Sequence, residues 1–196
     1  QQAISKLCYM QTIYRREMRS NSYSTGPYFI ASSVTELPII IGGHVIATSL
    51  LFWLNDFPQT GPYYFFFFLI LMLTNLNSYF MAQVIAAAAQ NASLAFALFP
   101  LCFIFLNRFS GFGLSVDDVP GMWEWAPWVC YSRWSYQALI INHFEEFDMQ
   151  GDAVIESFGF DGYAKGDSIW ILMLSIGLFL CLLYFALLEP KSKLAK

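Results

Sequence analysis

From Ser168 to Leu188 the chain carries no charged side chain, and that run admits few surroundings. A helix rises about 1.5 Å per residue, so a helix over this run is about 30 Å long, the thickness of a bilayer's hydrocarbon core. About 13 of its residues are Leu, Ile or Phe. Each contributes roughly −0.3 to −0.6 kcal/mol on insertion scales, giving about −4 to −8 kcal/mol with no opposing charge. Pro190 stops the run. Composition points the same way: of 196 residues, 57% are hydrophobic and 12% charged, whereas soluble domains carry about 25% charged residues. The chain reads as an all-α integral membrane protein.

Three further apolar runs precede this one. Residues 28–54 form the first complete span, interrupted early by Ser32, Ser33, Thr35, Glu36 and Pro38. Pro38 lacks an N–H and should kink or start a helix there. Glu36 is the intramembrane polar residue to explain. A charge at the bilayer centre costs roughly 2.5–3.5 kcal/mol, so such residues face protein or lie near an interface. Its nearness to a basic segment favours an ion pair over a proton relay. His44, midway along, reads as a hydrogen-bonded packing residue. The turn NDFPQTG leads to the second span, 62–86, and the small run Ala86–Ala89 allows a close neighbour. A short turn at 90–93 holds Asn91 in an N-x-S pattern, expected to be unmodified on the topology below. Residues 93–112 form the third span, with Pro100 in its middle. At helical spacing Pro100, Phe103, Ile104 and Asn107 share one face, which suits either an amphiphilic ligand cavity or ordinary helix packing.

Between the third span and the last, residues 113–144 are too polar and too often broken to cross. Trp123, Trp125, Trp128 and Trp134 fall here with Tyr131 and Tyr136, among Gly111, Gly113, Pro120, Gly121 and Pro127. Rings with an apolar body and a polar edge settle at headgroup level. Irregular backbone at membrane depth needs protein or a water-filled cavity to satisfy it. The stretch is therefore a re-entrant helical segment closing an outer mouth, or an interfacial aromatic belt. Residues 145–167 form an acidic external loop, with Glu145, Glu146, Asp148, Asp152, Glu156, Asp161 and Asp167 against Lys165. The span 168–188 and a tail, 189–196, complete the chain.

Basic residues mark the cytosolic side. Lys6, Arg15, Arg16 and Arg19 near the start, within the cytosolic segment 1–27, and Lys191, Lys193 and Lys196 in the tail place both ends there. Four full transmembrane helices satisfy that. Cys8, Cys102, Cys130 and Cys181 show no ligand or disulfide spacing. There is no GxxxxGK[ST], HExxH or GxSxG, so no catalytic residues and no metal site are expected in this chain. A basic patch interleaved with aromatics is absent as well, so nucleic acid is not an expected partner.

Two motifs carry a family resemblance. YRREMRSNSYSTGPYFIASSVTELP, Tyr14 to Pro38, resembles the signature that leads into a span in the G family of ABC transporters, the white and breast-cancer-resistance group. FSGFG at Phe109–Gly113, then Val119-Pro120, then Trp128 to Phe144 resembles that family's second signature, and together the match covers essentially the whole chain. The resemblance implies a six-span membrane domain working as a homo- or heterodimer, preceded by a nucleotide-binding domain. The chain would then begin at the end of the second family span. Arg15, Arg16, Glu17 and Arg19 would couple to the nucleotide-binding domain. The cavity-lining span maps to Pro100, Ile104 and Asn107, with Phe103 on the same face, and the outer plug maps to Phe112. Gly113 departs from the bulky residue common there, and residues 144–167 lack the cysteines that often staple the external loop.

The implied function is ATP-driven export of amphiphilic or lipid-like substrates by alternating access, with Mg-ATP bound by the parent protein and no cofactor in this chain. The competing readings are a structural or pigment-associated membrane subunit, for which His44 and His143 are the metal candidates, and a passive channel, disfavoured by the lack of a ring-forming motif.

Overall fold

The computed structural model describes residues 2–20, 24–55, 57–89, 92–144, 148–160, 162 and 164–188. The tail from Pro190 with its three lysines, Asn91, Glu145, Glu146 and Asp161 lie outside the described residues, as do the side chains of Arg15 and Arg19.

Among the described residues the elements are helical: α1 (Gln2–Arg19), α2 (Thr25–Val34), α3 (Leu37–Leu54), α4 (Gly61–Ala88), α5 (Ala92–Arg108), α6 (Ala126–Val129), α7 (Tyr131–Phe144), α8 (Asp148–Ser157) and α9 (Lys165–Leu188), with short 3-10 turns at Val116–Asp118 and Gly121–Trp123. Three segments among the described residues are long and apolar enough to cross a membrane: Thr25–Leu54, Gly61–Ala88 and Lys165–Leu188. The apolar α5 is shorter, at 17 residues, or about 25 Å of helix. The chain is an all-α, multi-pass integral membrane protein.

The first span is two helices. Its ladder breaks at Thr35 and Glu36, and Pro38 sits in the first turn of α3, where a missing N–H costs nothing. Thr35 Oγ1 donates to the Ala31 carbonyl at 2.6 Å, closing the end of α2. By contrast α5 continues through Pro100.

α4 is the central helix. It packs against α1, α3, α5, α7 and α9 and buries residues along its length, from Tyr63 and Phe67 through Ile70 and Asn77 to Ala86 and Ala87. Ile70 and Met81 join Tyr131, Trp134 and Ala138 of α7 and Leu172 of α9 in one apolar cluster. Ala87 lets Tyr14, Leu183 and Leu187 close on the other end of α4. Several polar groups inside this bundle find partners on neighbouring helices, as an apolar environment favours. Asn77 Nδ2 donates to the Leu172 carbonyl at 3.1 Å, while Ser175 Oγ donates to Asn77 Oδ1 at 2.6 Å. Thr74 Oγ1 donates to Ser135 Oγ at 2.6 Å. Tyr79 and Gln83 both donate to the Ser32 carbonyl, at 3.2 and 3.1 Å. Asn75, by contrast, is exposed.

The bundle has two distinct ends. At one, α1 lies against the start of α2 and the ends of α4 and α9, through Tyr14, Thr25, Ala87 and Leu187. At the other, Phe52, Phe57, Tyr63, Phe67 and His143 form an aromatic knot, next to the start of α9, where Lys165 reaches Asn142.

Candidate functional site: an exposed helix face, an aromatic segment and an amphipathic helix

The face of α5 predicted from spacing is open. Pro100, Phe103, Ile104 and Asn107 are all exposed, Ile104 by 66%, and Leu101 extends the same apolar surface. The buried residue of α5 is Ala95, near the start of the helix. Asn107 turns its amide back, Nδ2 donating to the Phe103 carbonyl at 2.9 Å. The Asn107 carbonyl accepts from Ser110 Oγ at 2.8 Å, which ends the helix in the 109–113 turn. Gly111 there has φ +89°, a left-handed backbone favouring glycine. Phe112 follows, 76% exposed, its ring edge-on to Tyr136 with centroids 5.8 Å apart. A Cβ at Gly113 would meet Arg108 Nη1 at 3.6 Å, ordinary contact, so a larger residue fits there.

The segment beyond is built from rings. Phe105, Phe109, Trp123 and Trp125 form a contiguous series with neighbouring centroids 4.9–6.1 Å apart. Trp125 Nε1 donates to the Met122 carbonyl at 3.2 Å. Ser132 Oγ donates to the Leu106 carbonyl at 2.7 Å, tying α7 to α5. Arg133, which sequence reasoning missed, is 1% exposed. Its guanidinium carbon lies 4.5 Å from the ring centroids of both Trp128 and Trp134. An arginine set in a tryptophan-rich run was the available signal, because a guanidinium stacks on indole faces. Burial pushes the neighbouring Cys130 thiol up to about 11 and raises the Tyr136 phenol above its usual value.

At the opposite end α1 presents its polar side outward. Arg16 is exposed and Glu17 is half-buried. Tyr14, which opens the first signature motif and was given no role of its own, is fully buried. It stacks on Tyr28 at 4.0 Å. Lys6 Nζ donates to Glu36 Oε1 at 2.5 Å, so Glu36 is paired with a lysine in the first half of α1. Arg16 and Glu17 lie in the last turns of α1, whose Cys8 packs in one cluster with Ala95, Phe96 and Phe99 of α5.

Neither histidine presents a bare ring. His44 Nε2 lies 3.2 Å from the Phe68 carbonyl and 3.1 Å from Thr48 Oγ1. His143 Nδ1 lies 2.9 Å from the Tyr63 hydroxyl.

The first 144 residues match the family model described as "ABC-2 type transporter". The chain belongs to the ABC-2 type transporter family. Relatives place it beside the membrane domain of G-type members. It is 29% identical over 202 aligned positions to "ABC transporter G family member 1" of Dictyostelium discoideum, covering 93% of this chain and 25% of that protein. It is 25% identical over 134 positions to "ABC transporter ATP-binding protein/permease wht-1" of Caenorhabditis elegans, covering 68% of this chain and 20% of the relative. With "ABC transporter G family member 7" of Arabidopsis thaliana it shares 24% over 161 positions, 78% of this chain and 22% of that protein. The chain thus spans about a quarter of these relatives. Among the described residues no group of three or more His, Cys, Asp or Glu is placed to hold a metal ion.

Proposed function

We propose that this ABC-2 chain is the membrane-spanning part of an ATP-driven transporter that exports amphiphilic or lipid-like molecules by alternating access. The observation that carries the reading is the separation of two devices across one bundle. A helix packed on α4 and α5, and tied by Tyr14 to α2 and α9, lies at one end, and an aromatic, glycine-turned lid at the other. The apolar α5 face with Pro100, Phe103, Ile104 and Asn107 lies on the way to the lid. A second half-transporter, identical or not, would cover that face and make it one wall of a cavity, with Phe112 as the outer plug. α1, through Arg15, Arg16, Glu17 and Arg19, would dock on a nucleotide-binding domain that supplies Mg-ATP hydrolysis, with both chain ends in the cytosol. Access switches only if the substrate binds the two states unequally.

The test uses the full-length protein in lipid vesicles with a fluorescent amphiphile. Movement that needs Mg-ATP and stops on chelation is the expected result. Flux that is indifferent to nucleotide overturns the reading.

A further inference from the structure

We infer that Phe160, in the loop between α8 and α9, is a positioning residue that sets the conformation of the 109–113 turn and so the placement of Phe112. Its role in transport rests on the plug reading above; its geometry does not. Phe160 is fully buried. A Cβ built on Gly111 would lie 2.5 Å from Phe160 Cζ and 2.9 Å from Cε1. The turn therefore excludes a side chain at Gly111 twice over, by its left-handed φ of +89° and by the ring seated against it.

Phe112 is mostly exposed, so burial of its own ring does not hold it. What holds it is its backbone and the edge contact to Tyr136. Tyr136 meets Phe158 and Phe160 edge-on as well, at 5.8 and 5.9 Å, and those two rings stack with centroids 5.8 Å apart. Two hydrogen bonds to backbone carbonyls close the clasp. Val116 N–H donates to the Phe158 carbonyl at 3.3 Å, and Gln137 Nε2 donates to the Phe160 carbonyl at 3.4 Å. The exit of α5, the middle of α7 and the external loop thus meet through one ring on one glycine. No cysteine stands in residues 144–167 to fasten that loop, and the phenylalanine pair fastens it non-covalently.

The test is hydrogen exchange on the full-length protein in lipid nanodiscs, comparing wild type with Phe160→Ala, Phe160→Leu and Gly111→Ala. Removing a buried ring opens the segment it anchors, so amides 110–116 should exchange about tenfold faster or more in F160A, with F160L intermediate. G111A should behave like F160A, while amides of α4, α9 and α1 stay protected. ATP-independent leak of the amphiphile should rise in parallel. Exchange at 110–116 within about twofold of wild type in both F160A and F160L overturns the inference. Loss of protection throughout α4 and α9 in all three variants also overturns it, because Phe160 would then belong to the core at large. Faster exchange with unchanged leak supports the clasp and counts against Phe112 as the plug.

Discussion

The Tyr14 hydroxyl donates to the Leu187 carbonyl oxygen at 3.2 Å and lies 3.3 Å from Thr25 Oγ1. One side chain of the amphipathic α1 thereby touches the first turn of α2 and the last turn of α9. The Leu187 carbonyl is among the last of its helix, which have no partner within it, and Tyr14 supplies one. Any displacement of α1 along the bundle must break or drag this contact.

Tyr14→Phe keeps the stack on Tyr28 and removes the donor, so it should cost about 0.5–1.5 kcal/mol. Tyr14→Ala also leaves a void beside Ala87 and Leu183, and should cost about 3–5 kcal/mol. Thermal unfolding of the detergent-solubilised protein reads both. If α1 transmits motion, Y14F should also lower substrate moved per ATP hydrolysed while leaving ATP hydrolysis intact.

Lys6 and Glu36 form an ion pair with side chains 56% and 22% exposed. Pairs so open to solvent contribute about 0–1 kcal/mol. Glu36→Gln should therefore shift the unfolding temperature little. As a structural pair rather than a proton relay, it should also leave the pH profile of transport unchanged. A profile displaced by E36Q would show that this carboxylate carries protons.

Arg133 between Trp128 and Trp134 should resist conservative replacement. Each desolvated cation–π contact is worth about 0.5–2 kcal/mol. Lysine keeps the charge but cannot lie flat against two rings. Arg133→Lys should lower the unfolding temperature measurably, Arg133→Ala more so. Tryptophan emission should shift in both, because Trp134 loses the guanidinium plane it packs on.

The Cys130 thiol is raised from 9.0 to about 11 by burial, so the folded state holds its proton more tightly than the unfolded chain does. The stability this contributes is complete below pH 9.0 and is lost as pH rises toward about 11. Native protein should accordingly leave Cys130 unalkylated by a thiolate-selective reagent at neutral pH. Labelling, located by peptide mass mapping, should become appreciable only as the pH approaches about 11. Rapid labelling at neutral pH would show that the α6–α7 junction opens.

Helical periodicity was enough to put Pro100, Phe103, Ile104 and Asn107 on one face, because spacing along a helix is a local property. It could not tell whether that face was open, and the exposure of Ile104 depends on where α4 and α7 pack. The break at Glu36 and Pro38 was legible for the same local reason. Its partner Lys6 was not, because many basic residues precede it and only the path of α1 selects one. Phe160 carried no local signal: its meaning comes from Gly111, far away in the chain and in another turn. Arg133 was hidden by the aromatic reading of its own segment, in which a cation looked incidental.

By itself the sequence settled the solvent and the class. Uncharged runs of spanning length must lie in lipid, and in lipid a backbone must satisfy itself as helix. It also carried both family signatures, since these are patterns of residue type. The tertiary structure decided which residues meet: Tyr14 with Leu187, Arg133 with two tryptophans, Phe160 with Gly111. Those pairings depend on how helices separated by loops pack across one another, and nothing in the neighbouring residues of the chain encodes that.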